Sequence, residues 1–257
     1  MFLKLTDATL MVSAFGSGPR TIVAHGGWVG SGELWFPPFE AMSKSWRTIT
    51  YDHRGTGASQ HRAHAITFEH LVTDLFAVLD RLEVERCVLA GESAGAAVTL
   101  AAAQRQPHRF EGLVLVSPYY DGPVNTTLME GCRTGFEATM DAFVDACVPE
   151  PECTAERAWG RKIVKRSTAK DAIDLMECMR DVDVTAGLPA MKTRALVLHG
   201  DKDLIRPVAS SQALAKLIPG AKLSIAAGAG HVPTVTRPDW VVREIEDHFS
   251  APVLARP

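Results

Sequence analysis

Gly91-Glu92-Ser93-Ala94-Gly95 sets a serine between two glycines. The run before it, Arg86 to Ala90, is short and apolar like a strand, and the run after it, Ala96 to Gln104, is Ala-rich and helical. At such a junction the strand and helix backbones nearly touch, so the flanking residues must be small, and the tight turn lifts the hydroxyl out at the top of a sheet. The N–H of Ala94 then lies at a helix N-terminus, where developing negative charge is favoured. The chemistry this suits is acyl transfer. A hydroxyl attacks a carbonyl, and backbone donors steady the oxyanion. Because G-x-S-x-G also occurs as an ordinary strand–helix connection, the serine's partners carry the rest of the case.

Those partners are a base and a group that orients it. In open α/β sheets, sites lie at the carboxyl ends of strands. Two stretches qualify. Gly200-Asp201-Lys202-Asp203 follows the apolar run Ala195 to Leu198, and Gly228-Ala229-Gly230-His231 follows Lys222 to Ala226. Serine, aspartate and histidine therefore occupy three strand ends in that chain order, with Asp201 and Asp203 both eligible.

The elements that must position them alternate. Phe2–Leu5 and Thr9–Phe15 read as an antiparallel pair, and Thr21–Ala24 as a strand buried on both faces that runs into His25-Gly26-Gly27-Trp28. A helix over Glu33–Ser45, broken early by Pro37-Pro38, precedes a strand at Trp46–Tyr51. Thr67 caps a helix to about Leu82, with Phe68, Leu71, Val72, Leu75, Val78, Leu79 and Leu82 on one stripe. Leu113–Val116 is the next strand, Val208–Leu217 and Asp239–Phe249 are helices, and the tail Ala251–Pro257 is expected to fray. From Tyr119 to Ala190 the alternation stops, and helical stretches at 136–147, 155–166 and 169–179 take over. The expected fold class is α/β, with a mostly parallel central sheet covered by helices on both faces. Residues 1–118 and 191–257 form the core, and 119–190 an inserted helical cap.

Composition narrows the function. The chain has 257 residues, 46% hydrophobic and 22% charged, with a formal net charge of −3. This fits a globular chain with a full core, and the absence of any Lys/Arg run argues against nucleic acid. Met1–Leu10 carries Lys4 and Asp7, and no apolar run approaches bilayer length, so neither a leader nor a membrane partner is expected. Five cysteines fit a reducing compartment, hence a cytoplasmic protein. Four of them (Cys132, Cys147, Cys153, Cys178) share one segment, but the spacing matches no zinc motif and no histidine lies between. Free thiols, no metal and no cofactor are expected.

Taken together, HGGW at His25, DHRGTGAS at Asp52, GESAG at Gly91, HGDKDLIRP at His199 and GAGHVP at Gly228 resemble the α/β-hydrolase superfamily, in its cap-bearing branch of small esterases, lactonases and C–C bond hydrolases. The order Ser, Asp, His is the one expected there and in neither major protease arrangement. The resemblance covers the chain outside the cap. It implies G-x-x-D-x-x-x-P for the acid, falling on Gly200, Asp203 and Pro207, so that Asp203 orients His231 and His231 takes the Ser93 proton. It also implies that Gly27 pairs with Ala94 in the oxyanion hole. His25 would hold its loop by hydrogen bonds, and Asp52–Ser59 would be structural. Glu92 stands where Met, His or Gln is common, and is expected to pack near the sheet top or meet a cap residue.

The implied function is a serine hydrolase of a small carboxylic ester or lactone. Trp28, Met129, Phe136 and Met140 are the pocket candidates, and the Met- and Phe-rich cap suggests an apolar or aromatic group. The partner is a small-molecule substrate, and the protein is a monomer or homodimer. The alternatives are a C–C hydrolase of a vinylogous diketone, disfavoured by Ala96-Ala97, and a ligand sensor that retains the triad. Dehalogenase and epoxide hydrolase chemistry need a carboxylate where Ser93 stands.

Overall fold

A computed structural model describes residues 1–62 and 66–250, so the tail 251–257 lies outside the described residues. The elements in order begin with strands β1 (Phe2–Lys4), β2 (Ala8–Phe15) and β3 (Arg20–His25), helix α1 (Phe36–Met42), strands β4 (Trp46–Tyr51) and β5 (Gln60–His61), and helix α2 (Phe68–Arg81). Next come β6 (Cys87–Glu92), α3 (Gly95–Arg105), β7 (Phe110–Val116) and three helices, α4 (Thr126–Cys147), α5 (Thr154–Val164) and α6 (Ala169–Glu177). The chain continues with β8 (Arg194–Gly200), α7 (Val208–Leu217), β9 (Lys222–Ala226), α8 (Pro233–Thr236) and α9 (Pro238–Ser250).

The sheet order is β1-β2-β4-β3-β6-β7-β8-β9, with β5 beside β2. Pairing is antiparallel at β1–β2 and β2–β4 and parallel from β4 to β9. After β3 the chain crosses first to β4 and then back past β3 to β6. The order therefore reverses between β3 and β6, the place where open α/β sheets bind ligands.

Period-two alternation sends each central strand's side chains to opposite faces. Ile22, Ala24, Val88, Ala90, Val114, Val116, Leu196 and Leu198 pack with Trp35, Phe39, Val241 and Ile245 beneath α1 and α9. Val23, Leu89, Leu113, Leu115 and Val197 pack with Leu71, Leu75, Leu79, Leu100 and Leu214 from α2, α3 and α7. With apolar residues on both faces, the central strands read as continuous hydrophobic runs. Thr67 caps α2 by accepting from the His70 N–H at 3.1 Å.

Two helices differ from expectation. Residues 32–42 divide into a 3₁₀ turn, Gly32–Trp35, and α1, with both prolines in the first turn of α1. There the missing N–H is one the helix would leave unbonded anyway, so proline begins a helix where mid-helix it would break one. The helix expected from Phe136 begins ten residues earlier, at Thr126, where Asn125 Oδ1 accepts from the Leu128 N–H at 2.9 Å. It is kinked at Gly135, whose φ of −166° and ψ of 68° are not helical. Gly131 and Gly135 weaken the helical signal of the first half, and the asparagine cap overrides them. Among the described residues no helix is long and apolar enough to cross a membrane.

Candidate active site

Ser93 follows β6 directly and has a φ of 52°, in the left-handed region that a residue with a Cβ rarely occupies. The turn is fixed from three sides. The Ser93 N–H donates to the Val116 carbonyl at 2.8 Å, and the Ser93 carbonyl accepts from Ala96 at 3.0 Å and Tyr119 at 2.9 Å. Its glycines are there for want of space. A Cβ on Gly95 would press on the carbonyl oxygens of Gly26 and His25, and one on Gly91 on the Thr99 hydroxyl and the Gly95 carbonyl. The surrounding structure thus holds a backbone conformation worth about 1–3 kcal/mol of strain.

At the ends of β8 and β9, Asp203 and His231 come together with this serine. His231 Nε2 is 3.0 Å from Ser93 Oγ, and His231 Nδ1 is 2.7 Å from Asp203 Oδ2. Asp203 also accepts from the Ile205 and Arg206 amides, at 2.7 and 2.9 Å, on Oδ1. Burial works to raise the Asp203 pKa, but the facing His231, His199 and the Arg206 amide hold it well below the usual carboxylate range. An ionised acid can only accept, so Nδ1 carries its proton toward Asp203 and Nε2 is left to accept from the Ser93 hydroxyl. Asp201 is elsewhere. It is exposed and accepts from the Gly228 N–H at 2.6 Å, tying the β8 and β9 loops together.

Gly27, at the end of β3, lies against the serine, and a Cβ placed on it would sit 3.3 Å from Ser93 Cβ. Neither the Gly27 nor the Ala94 amide donates to an acceptor among the described residues. His25 contacts the Gly26 carbonyl through Nδ1 at 2.8 Å and stacks on His53 at 4.7 Å. Burial lowers its pKa to about 4, so it stays neutral and structural. Arg54 of the Asp52–Ser59 loop is buried in ion pairs with Asp74 at 2.6 Å and Asp7 at 2.7 Å. All five cysteines are free, and among the described residues no cluster of His, Cys, Asp and Glu could hold a metal.

The family model described as "Serine aminopeptidase, S33" matches residues 39–234, most of the chain. The chain belongs to this family of α/β hydrolases. A relative from Caulobacter sp. (strain K31), which carries the name carbamate hydrolase RutD, is 30% identical over 238 residues, 87% of this chain and 88% of its own length. An esterase from Exiguobacterium antarcticum superposes with a TM-score of 0.90 at 19% identity, covering 97% of this chain and 99% of that one. The enol-lactonase from Burkholderia xenovorans LB400 does so with a TM-score of 0.87 at 23% identity, covering 98% and 100%. Both share the fold.

Around Ser93 this α/β hydrolase has two chambers, each open to solvent on one side. One, of about 50 Å³, is lined by Gly27, Glu92, Trp159, Val164, His231 and Val235, among others. The other, of about 300 Å³, includes Ala94, Tyr119, Leu128, Met176, Met179 and Arg206. Trp28 and Phe143 line both and meet edge-to-face at 5.1 Å, while Trp28 Nε1 donates to the Ala172 carbonyl at 2.7 Å. Trp28 thus lines both chambers. Met129, Phe136 and Met140 line neither chamber. Met129 and Met140 are buried in the core and Phe136 is packed against it. Phe143 takes the place expected of them, on the side of α4 that faces Ser93.

Two residues given no role from sequence, His199 and Glu150, support the site. His199, fully buried, places Nε2 3.2 Å from Asp203 Oδ2, with Ser211 Oγ 2.7 Å from its Nδ1. Glu150, between α4 and α5, accepts from the Gly230 N–H at 2.8 Å, and the nearby Cys147 carbonyl accepts from the His231 N–H at 2.8 Å. The loop bearing His231 is therefore clamped by the helical segment. Only the HGD triplet around His199 carries any sequence signal, since Glu150 and Gly230 are far apart in the chain. Glu92, at the end of β6, accepts from the Thr234 hydroxyl of α8 at 3.0 Å. Burial raises its pKa to about 8, against the pull of that hydrogen bond.

Proposed function

We propose that this α/β hydrolase cleaves a small carboxylic ester or lactone through an acyl-enzyme on Ser93. The observation that carries the reading is the continuous contact from Asp203 Oδ2 to His231 Nδ1 at 2.7 Å and from His231 Nε2 to Ser93 Oγ at 3.0 Å, on a serine held at a φ of 52°. Ser93 Oγ attacks the carbonyl carbon as its proton passes to His231 Nε2, and Asp203 stabilises the imidazolium. The Gly27 and Ala94 amides receive the oxyanion. Collapse of the tetrahedral intermediate breaks the bond to the leaving oxygen, which takes the proton from Nε2. Water, deprotonated by the same nitrogen, then hydrolyses the acyl-enzyme and frees Ser93. The segment 119–190 acts as the cap, and Trp28 and Phe143 meet the substrate's apolar part. The Caulobacter relative's name makes a carbamate a second substrate class for the same sequence of steps.

The test is incubation with a neutral fluorophosphonate, intact mass and peptide mapping, followed by turnover of esters and lactones of increasing bulk. One adduct on Ser93, with Ser93→Ala folded and slower by about 10⁵–10⁶-fold, is the expected result. A folded protein that takes no adduct, or a Ser93→Ala variant near the wild-type rate, overturns the reading.

A further inference from the structure

The two chambers beside Ser93 differ in their ionisable groups. The smaller contains two carboxyl groups, Glu92 and Glu156, and neither Lys nor Arg. The larger contains a single charged side chain, Arg206. A substrate spanning the serine therefore meets acidic groups on one side and a guanidinium on the other.

Arg206 is held at both ends. Its backbone N–H donates to Asp203 Oδ1 at 2.9 Å, so its Cα is anchored to the acid facing His231. Its guanidinium lies 5.0 Å from the centre of the Tyr119 ring, and the Tyr119 N–H donates to the Ser93 carbonyl at 2.9 Å. Cation–π contact and backbone anchoring thus place the charge relative to the serine before any ligand arrives. Most of its donors are unspent. Nη2 donates to Ser210 Oγ at 3.1 Å, whereas Nε is buried with no hydrogen-bond partner. The carboxylate of Asp121 approaches no closer than 3.8 Å and is 46% exposed, so water screens much of its attraction. The guanidinium keeps Nη donors that Ser210 does not use, and a planar carboxylate can accept two parallel N–H bonds from such a fork.

The geometry points to an anion subsite in the larger chamber, where Arg206 binds a carboxylate carried by the substrate away from the bond being cleaved. The inference rests on the serine-hydrolase reading and names its substrate class: a carboxylate-bearing ester or lactone. Its apolar remainder lies along Trp28, Phe143, Met176 and Met179.

The test uses two pairs of esters matched in length. Monomethyl adipate is compared with methyl hexanoate, which puts the carboxylate on the acyl side. 4-Acetoxybutanoate is compared with pentyl acetate, which puts it on the alcohol side. Proton release at constant pH follows all four. The expected result is a kcat/KM at least about tenfold higher for the anionic member of one pair, because charge-assisted hydrogen bonds are roughly twice as strong as neutral ones. That preference shrinks with added salt, disappears in Arg206→Gln and survives in part in Arg206→Lys. A neutral preference in both pairs, or an anionic preference that Arg206→Gln leaves intact, overturns the subsite. If none of the four is hydrolysed while the fluorophosphonate still labels Ser93, the subsite falls and the hydrolase reading stands. If Ser93 takes no label, both fall.

Discussion

Replacing Glu150 by alanine removes the acceptor of the Gly230 N–H, one residue before His231, at a position only 3% exposed. No water reaches such an amide easily, so leaving it unpaired costs about 1–3 kcal/mol. The loop can regain that energy only by moving away from the helical segment. It remains tied there by the 2.8 Å bond from the His231 N–H to the Cys147 carbonyl, so the movement is a tilt and not a release. A tilt is enough to lengthen the 3.0 Å contact between Nε2 and Ser93 Oγ. Misplacing reacting groups by about 1 Å costs on the order of 10²-fold in rate. Glu150→Ala is therefore expected to lower kcat about 10–100-fold with KM changed by less than about threefold. Glu150→Gln keeps a carbonyl oxygen for Gly230 and an amide for the side of Oε2, which is buried without a partner, and should stay within about threefold of wild type. Steady-state kinetics on one ester, with urea unfolding of each variant as the control, measures all of this. The reasoning is refuted if alanine and glutamine lose the same activity, or if alanine loses none.

Other perturbations reach the site through different physics. Asp203→Asn should cut kcat by about 10³–10⁴, because an amide N–H facing Nδ1 forces the proton onto Nε2 and removes the base. Asp201→Asn should stay within about threefold, since Asp201 faces Gly228, and a reversal of the two results would move the acid to Asp201. Glu92 binds a proton up to about pH 8 when folded but only to about 4.5 when unfolded, so its contribution to stability is full below pH 4.5 and is lost as pH rises toward 8. Urea midpoints between these limits should fall more steeply with pH in wild type than in Glu92→Gln, and parallel slopes would show Glu92 to be ionised in the fold. Gly95→Ala should lose turnover together with stability, since the new Cβ meets backbone carbonyls that cannot retreat, and a variant with normal kinetics would contradict the packing described.

Much of the scaffold was legible because its signals are local. The apolar runs of β6, β7 and β8 are buried on both faces, so no register had to be guessed, and the Gly91–Gly95 turn announced itself through glycines that packing requires. The pocket was not legible. Met129, Phe136, Met140 and Phe143 lie on one helix and are alike in chemistry. Which of them faces Ser93 depends on the helix's rotation, and the kink at Gly135 resets that rotation partway along.

The chain alone determined the α/β class with its mostly parallel sheet and the strand ends at which Ser93, His231 and an aspartate sit, because hydrophobic periodicity and turn chemistry act over a few neighbouring residues. Its motifs added the resemblance that singles out Asp203. Tertiary structure decided that Glu150 clamps the His231 loop and that Arg206 shares a chamber with the serine. Each of these joins groups on different elements. Their meeting is set by how strands stack and how the helical segment settles on them, and no local pattern in the sequence records it.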